Sequence, residues 1–271
     1  MSTHPIDTDT ALERIGPARY AARTSKAYSN FNGTFGGFTA AILLRTVLDD
    51  ERRQGVPVAL TVNYCAALAD GPFELAAREV RTGKSTQHWF VELRQGDTVA
   101  ATATVVCGQR RAVWSHHPAE PPHMPPPETL PVFDGFKPGG WTGSYEMRFA
   151  QGAPNWVEQR ADDDIRSARS QLWMKDKPDR PLDYLSLASM SDAFIIRAFL
   201  ARSKFVPTGT VTLTTFFHAN EEAMRAQGTS PLLCTADAHL FADGFADQIA
   251  HLWGKDGKLL ATSTQIVWYK E

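Results

Sequence analysis

Strand-like segments and turn signals alternate through the first half of the chain and predict a helix followed by four antiparallel strands. The strand-like segments cover residues 58–67, 73–82, 85–95 and 98–109. Gly-containing pairs typical of tight turns separate them, namely Gly71-Pro72, Thr82-Gly83 and Gly96-Asp97. Before the first strand, an apolar run at residues 38–50 directly follows Gly36 and Gly37 and is typical of one long helix.

The second half repeats this order of elements. Strand-like segments at 144–150 and 167–175 precede a helical pattern at 182–201, and four more follow at 208–218, 232–241, 246–253 and 258–269. Residues 99–105 also match residues 259–265, each set after a Gly-containing turn. One helix against an antiparallel sheet, formed twice, is an α+β arrangement. We therefore predict a double hotdog fold, with two long helices, each wrapped by a curved sheet, and the two sheets joined edge to edge.

A proline-rich stretch separates the two halves. Residues 115–138 hold prolines too densely for a helix or a central strand, so we expect an extended spacer that lies over the surface. The expected division is an N-terminal hotdog at 1–114, a linker at 115–138 and a C-terminal hotdog at 139–271.

Composition narrows the class of protein. The 271 residues carry 28 Lys+Arg and 30 Asp+Glu, and the net charge of −2 offers no basic surface for nucleic acid. The chain has neither an apolar run of about 18 residues, as a membrane span needs, nor a signal-like start. Its 3 cysteines are far apart and form no CxxC pair. We expect a cytoplasmic protein without a membrane segment, a metal or a cofactor.

Asp192 is the most informative polar residue. Helical spacing places it on one face with apolar residues, namely Leu185, Ala188, Ile195, Ile196 and Phe199. Burying a lone carboxylate costs several kcal/mol unless it is paired or protonated, so Asp192 is a candidate functional group with a shifted pKa. The alternative interpretation is that Asp192 is the N-cap of a shorter helix at 195–200.

Gln265 is a second candidate. Alternation along the last strand places Gln265 on one face with the small residues Ala261 and Ser263, which leaves room for a ligand or a water molecule. The matching position in the first half is Val105, as expected if one half of a duplicated fold carries the site. The alternative is an edge glutamine that reaches solvent.

The strand at 208–218 is rich in threonine. Alternation places Thr210, Thr212 and Thr214 on one face. These hydroxyls are either site residues or part of a solvated sheet face, since threonine is a good strand former.

The segment from Asn32 to Gly37 precedes the first long helix. Glycines here allow a tight turn and leave N–H groups free at the positive end of the helix dipole, where they can stabilise an oxyanion. A plain turn is equally compatible with these residues.

The ordered set of these segments resembles the acyl-CoA thioesterase II-like family. In the first half the similarity rests on residues 32–44, on Leu60-Thr-Val-Asn-Tyr-Cys-Ala-Ala-Leu and on Arg81-Thr-Gly-Lys-Ser. In the second half it rests on Ala188-Ser-Met-Ser-Asp192, on Phe217-His218 and on Leu260-Ala-Thr-Ser-Thr-Gln265.

The resemblance implies a tandem hotdog fold and hydrolysis of acyl-CoA to a free acid and CoA. It implies that Asp192, Thr210 and Gln265 hold the attacking water, with Asp192 as the general base, and Thr212 is the alternative hydroxyl. Asn32, Gly36 and Gly37 are the expected substrate-binding residues, with amides near Gly37 polarising the thioester carbonyl.

Two other functions compete with this one. Hotdog hydratases resemble each other in an Asp followed by a His five residues later, and here that position is Arg197. The other competitor is a non-catalytic protein that binds acyl thioesters. Free sheet edges also lead us to expect a homodimer or a higher homo-oligomer.

Overall fold

A computed structural model of the chain describes residues 4–134, 140–154, 166–202 and 205–270. The helices are α1 (Pro5–Asp9), α2 (Gly36–Leu48), α3 (Tyr184–Met190), α4 (Arg197–Arg202) and α5 (Glu221–Gln227). The strands of the first half are β1 (Glu13–Gly16), β2 (Arg19–Arg23), β3 (Ser29–Asn30), β4 (Gly33–Thr34), β5 (Val56–Tyr64), β6 (Pro72–Thr82), β7 (Thr86–Gln95) and β8 (Thr98–Gly108). Those of the second half are β9 (Tyr145–Gln151), β10 (Ser170–Asp176), β11 (Thr208–Phe217), β12 (Leu232–Asp237), β13 (Phe241–Ala242), β14 (Phe245–Trp253) and β15 (Leu259–Tyr269).

The two halves share one continuous antiparallel sheet, as the sequence predicts. Its strand order is β1-β2-β6-β7-β8-β5-β11-β15-β14-β12-β10-β9, and β13 pairs with β14. The halves meet where β5 pairs with β11, and at the middle of this pair the hydroxyls of Thr61 and Thr214 lie 3.0 Å apart. Backbone hydrogen bonds across β5 and β11 therefore join the two halves directly.

The order of strands shows the internal duplication. Each half has two strands, then helical structure, then four long strands, and the second half of the sheet repeats the order of the first from the opposite edge. The eight long strands lie within three residues of their predicted bounds at each end, except that β12 ends at Asp237 rather than 241. Strands β1 and β2, which pair beside β6, have no counterpart among the sequence predictions.

Helix α2 lies in the concavity of the first-half sheet. Residues 37–44 are buried on all sides of the helix, which explains why this run is almost continuously apolar. Each fully buried Leu or Ile here contributes roughly 1.5–3 kcal/mol through removal of its side chain from water. Helix α2 also packs against α3, so the helical layers of the two halves meet near the start of α2.

The single helix expected at 182–201 is wrong, because the chain leaves the helical path after Met190 and resumes it at Arg197. The carbonyl oxygen of Ser191 accepts hydrogen bonds from the side chains of Ser263 (3.0 Å) and Gln265 (3.5 Å) on β15. Side-chain donors on β15 thus take the place of the backbone N–H that would bind this carbonyl oxygen in a continuous helix. Asp192 lies in this interruption rather than in the middle of a helix face.

Part of the linker lies over the outer face of the second-half sheet. Met124 packs with Leu233 and Trp253, and the indole Nε1 of Trp173 donates to the carbonyl oxygen of Pro125 at 2.9 Å. At Met124 and Pro125 the chain thus lies against the sheet. The predicted boundary between 138 and 139 lies outside the described residues. None of the described helices has the length and apolar character needed to cross a bilayer.

Candidate active site

A cavity of about 910 Å³ opens between the two halves, beside the start of α2. Five of the six residues singled out from the sequence line it, namely Asn32, Gly36, Asp192, Thr210 and Gln265. The sixth, Gly37, is buried in the first turn of α2. The fold thus gathers residues from the β3–β4 turn, the helix start, the helix interruption and two central strands.

The Asp192 carboxylate is held by both halves of the chain. Gln265 Nε2 donates to Asp192 Oδ1 at 2.8 Å, and the backbone N–H of Gly37 also donates to the carboxylate. Phe35, the N-cap residue of α2, makes no side-chain capping hydrogen bond. Asp192 therefore caps α2 from the other half, and the positive end of the helix dipole stabilises its negative charge.

This arrangement excludes one of the two interpretations of Asp192. The interpretation as N-cap of the following helix is wrong, because α4 begins at Arg197 and the Asp192 carboxylate accepts from Gln265 and Gly37 instead. The expectation of a buried carboxylate with a polar partner is confirmed, since Asp192 is 8 % exposed and bonded to Gln265.

Burial raises the pKa of Asp192 to about 7, although the hydrogen bonds from Gln265 and Gly37 lower it. Within the described ranges, no other charged side chain lines the cavity, so no cation offsets the desolvation. A carboxylate that titrates near neutral pH accepts a proton far more readily than an ordinary surface aspartate. That is the property a general base requires.

Close packing requires glycine at the start of α2. A Cβ at Gly36 would lie 2.6 Å from Asp192 Oδ2 and 3.2 Å from the hydroxyl oxygen of Tyr64, and a Cβ at Gly37 would overlap the carbonyl oxygen of Ser189. The Tyr64 hydroxyl donates to the Gly36 carbonyl oxygen at 2.9 Å. A larger residue at either position would push the helix start away from Asp192.

A β-bulge separates the two candidate threonines. The register between β11 and β15 shifts between Thr210 and Thr212, so Thr210 pairs with Val267 whereas Thr212 pairs with Ile266. Directly paired residues share a face, and Val267 shares its face with Gln265. Thr210 therefore lies on the cavity side, and Thr212 lies on the outer face with the exposed Ile266.

The expected common face for Thr210, Thr212 and Thr214 is consequently wrong. The extra residue Val211 resets the alternation, as a bulge does. Thr210 and Gln265 become diagonal neighbours across two strands, a separation of roughly 7–8 Å between such positions. A water molecule fits between side chains at that spacing.

The first-half equivalents of these site residues are apolar. Val105 on β8 matches Gln265 on β15, and β5 carries a bulge between Pro57 and Ala59 that corresponds to the one in β11. By this register Pro57 matches Thr210. The duplicated fold therefore keeps the Thr and Gln side chains in its second half alone, whereas the first half supplies the helix start.

Arg197 does not reach the cavity. Its guanidinium is buried on the far side of the interruption, where Nη1 donates to Ser170 Oγ at 2.8 Å and to the Ala168 carbonyl oxygen at 3.0 Å. None of the described residues that line the cavity is a histidine. Across the described ranges, no group of three or more His, Cys, Asp or Glu side chains is placed to bind a metal ion.

Tyr64 is a site residue that the sequence analysis did not single out. It lines the cavity and is held against Gly36, and burial together with the Asp192 charge raises the pKa of its hydroxyl well above the usual value. Alternation along β5 places Tyr64 on the same face as the buried Leu60 and Val62. The alternation of buried residues along β5 could therefore have identified Tyr64 as a polar side chain that faces the helix.

One sheet wrapped around helices from both halves, with a polar site between them, defines a double hotdog protein. Two family models match the sequence, the acyl-CoA thioesterase N-terminal domain over residues 24–108 and the acyl-CoA thioesterase C-terminal domain over residues 118–269. The chain belongs to this acyl-CoA thioesterase family.

Solved structures of similar chains share this fold. A protein of unknown function with a hotdog fold from Alicyclobacillus acidocaldarius is 40% identical and matches 100% of this chain and 99% of its own, with a TM-score of 0.93. An acyl-CoA thioesterase II from Mycobacterium marinum is 18% identical over 98% of both chains, with a TM-score of 0.76, and shows a shared fold. No functionally curated protein matches the sequence significantly.

Proposed function

We propose that this protein hydrolyses acyl-CoA thioesters by direct attack of a water molecule held by Asp192, Thr210 and Gln265. The observation that carries the proposal is the buried Asp192–Gln265 pair, 2.8 Å apart, beside a helix start in a cavity of about 910 Å³. Family membership supports hydrolysis of a thioester, and the Asp192–Gln265 pair supports direct attack by a water molecule as the mechanism.

Asp192 is the general base in this mechanism. With a pKa of about 7 it is largely ionised in mildly alkaline solution and accepts a proton from the attacking water. Thr210 and Gln265 orient that water by hydrogen bonds, so the reacting oxygen is positioned before the attack. The water oxygen bonds to the thioester carbon, and its proton passes to Asp192.

The start of α2 stabilises the negative charge that develops on the carbonyl oxygen. The amide of Gly37 is engaged by Asp192, so we assign it to holding the base. We assign the Gly36 amide, in the first helical position and beside the cavity, to the carbonyl oxygen, because first-turn amides have no intrahelical acceptor. Collapse of the tetrahedral intermediate then breaks the C–S bond, and the CoA sulfur leaves and takes up the proton that Asp192 accepted, which returns Asp192 to its ionised form. Asn32 remains as a substrate contact at the cavity rim.

The two competing functions fit the site less well. Addition of water to a double bond needs both an acid and a base, yet none of the described cavity residues is a histidine, and Arg197 points away from the cavity. A protein that only binds thioesters gains nothing from a desolvated carboxylate, which costs several kcal/mol to bury.

Product analysis tests the proposal. Wild-type protein is incubated with a saturated acyl-CoA, and with the matching 2-enoyl-CoA, and the products are separated by chromatography. We expect equal amounts of free acid and CoA thiol from the saturated substrate. A 3-hydroxyacyl-CoA from the enoyl substrate without thiol release would identify a hydratase, and stoichiometric binding without turnover would identify a binding protein.

A further inference from the structure

The cavity has one wall that the proposed chemistry does not use. Apolar side chains face the cavity here: Phe194, Ile195 and Ile196 come from the interruption between α3 and α4, and Phe199 comes from α4. Val206 and Trp141 continue this surface. Small residues such as Cys65, Ala66 and Ala67 line the first-half side. The cavity therefore has bulky apolar side chains on one side and small side chains on the other.

Aromatic rings continue the apolar wall to the protein surface. Phe199, which is 7 % exposed, stacks on Phe205 with ring centroids 4.7 Å apart. Phe205 in turn meets Phe31 edge to face at 5.4 Å. Phe31 comes from the turn between β3 and β4 in the first half, whereas Phe205 precedes β11 in the second. The Phe31–Phe205 pair thus bridges the two halves at the cavity rim.

The rim rings are unusually exposed for phenylalanine. Phe31 is 74 % exposed and Phe205 is 56 % exposed, although both line the cavity. Large apolar side chains grouped at a cavity mouth mark a surface that a ligand covers. An apolar covering group matches these rings, and a carboxylate would find no cation here, because Asp192 is the sole charged side chain among the described lining residues.

We propose that Phe31 and Phe205 form a specificity clasp that binds the distal part of an uncharged acyl chain. This inference rests on the proposed function, since it places the thioester at Asp192 and the chain along the Phe199 wall. Short acyl groups end before the clasp, whereas longer chains reach it and cover both rings. Selectivity for chain length then arises at a contact between the two halves, away from the reacting atoms.

Binding of non-hydrolysable S-alkyl-CoA thioethers tests the clasp independently of turnover. Calorimetry compares S-butyl-CoA with S-dodecyl-CoA, below the micelle concentration, on wild type, Phe31→Ala, Phe31→Leu and Phe205→Ala. Each methylene buried against an apolar wall strengthens binding about fourfold. We therefore expect Phe31→Ala and Phe205→Ala to weaken S-dodecyl-CoA binding at least tenfold and S-butyl-CoA binding less than twofold, with Phe31→Leu close to wild type.

Two controls accompany the experiment. Phe245→Ala removes a phenyl ring of similar exposure (52 %) that does not line the cavity, and it should leave both affinities unchanged. A thioether with a terminal carboxylate, S-(3-carboxypropyl)-CoA, should bind at least 100-fold more weakly than S-butyl-CoA.

Several results would overturn the clasp. Equal weakening of both thioethers by Phe31→Ala would show that the ring contacts the CoA portion, and no weakening would show that the ring contacts neither. Comparable binding of the carboxylated thioether would refute the requirement for an uncharged chain. Failure of the proposed function is a separate outcome, because it appears as absent thiol release from acyl-CoA whatever the thioether affinities are.

Discussion

Substitution of Asp192 by Asn removes the proposed base and keeps nearly the same shape. Burial raises the pKa of this carboxyl to about 7, so about one tenth of the molecules are ionised at pH 6 and about nine tenths at pH 8. For wild type, kcat/KM should therefore rise roughly tenfold between these two pH values. In Asp192→Asn turnover should fall about 10²–10⁴-fold and this pH dependence should vanish.

The same pKa predicts a change in stability. A carboxyl whose folded pKa is raised from 3.8 to about 7 binds its proton more tightly in the folded state. Its contribution to stability is then fully present below about pH 4 and is lost as the pH rises to about 7. The full loss amounts to about 4 kcal/mol, of which roughly 2–3 kcal/mol falls between pH 5 and pH 8.

Asp176 provides a matched control. It is 2 % exposed, its pKa is also raised to about 7 by burial, and it accepts a hydrogen bond from the Ser186 hydroxyl outside the cavity. Asp176→Asn and Asp192→Asn should therefore both gain stability relative to wild type as the pH rises. Turnover should be lost in Asp192→Asn alone, whereas Asp176→Asn should keep it within about threefold.

The assay combines two measurements on the three proteins. Initial rates of thiol release from acyl-CoA are measured from pH 5.5 to 8.5, and urea unfolding is followed by circular dichroism at pH 5 and pH 8. Turnover above one tenth of wild type in Asp192→Asn at pH 8 would eliminate the proposed base. Equal loss of turnover in both variants would show that burial of a carboxyl, rather than proton transfer at Asp192, limits activity.

Of three further predictions, two concern the surroundings of the Asp192 carboxylate and one concerns a buried arginine outside the cavity. Thr210→Val should lower kcat about tenfold or more because it removes a hydroxyl from the cavity. The kcat of Thr212→Val, whose side chain lies on the outer face beyond the bulge, should stay within twofold of wild type. The reverse result would assign the hydroxyl to Thr212. Gly36→Ala should lower kcat at least about tenfold, since its methyl would lie 2.6 Å from Asp192 Oδ2. The control Gly16→Ala, whose methyl meets nothing nearer than 3.8 Å, should be neutral. An unchanged kcat in Gly36→Ala would show that the position of the carboxylate is not critical. Arg180→Ala should lower the free energy of unfolding by about 3–5 kcal/mol, because the buried Arg180 binds both Asp7 and Asp183. The control Arg45→Ala removes a surface pair with Asp49 and should lower it by about 0.5 kcal/mol or less. Equal losses of stability in urea unfolding would contradict this reasoning.

Local sequence patterns were sufficient for the eight long strands and for two of the site residues. Alternation and turn residues depend on near neighbours, so β5 to β8 and the Gly96-Asp97 turn between β7 and β8 could be recognised without knowledge of their partners. Asp192 and Gln265 stood out for the same reason, because each is polar among apolar or small residues. The duplication, and with it one continuous sheet, also followed from the order of elements.

Features that depend on a distant partner were decided by the tertiary structure alone. Helix α3 ends at Met190 because Ser263 and Gln265, more than seventy positions away, bind the carbonyl oxygen of Ser191. The bulge at Val211 is defined by the pairing of β11 with β15. Alternation within β11 alone therefore could not predict the face on which Thr210 lies. Asp192 caps α2 because packing of the two halves brings Gly37 to it. Each of these depends on hydrogen bonds between segments far apart in sequence, and periodicity within one segment carries no information about them.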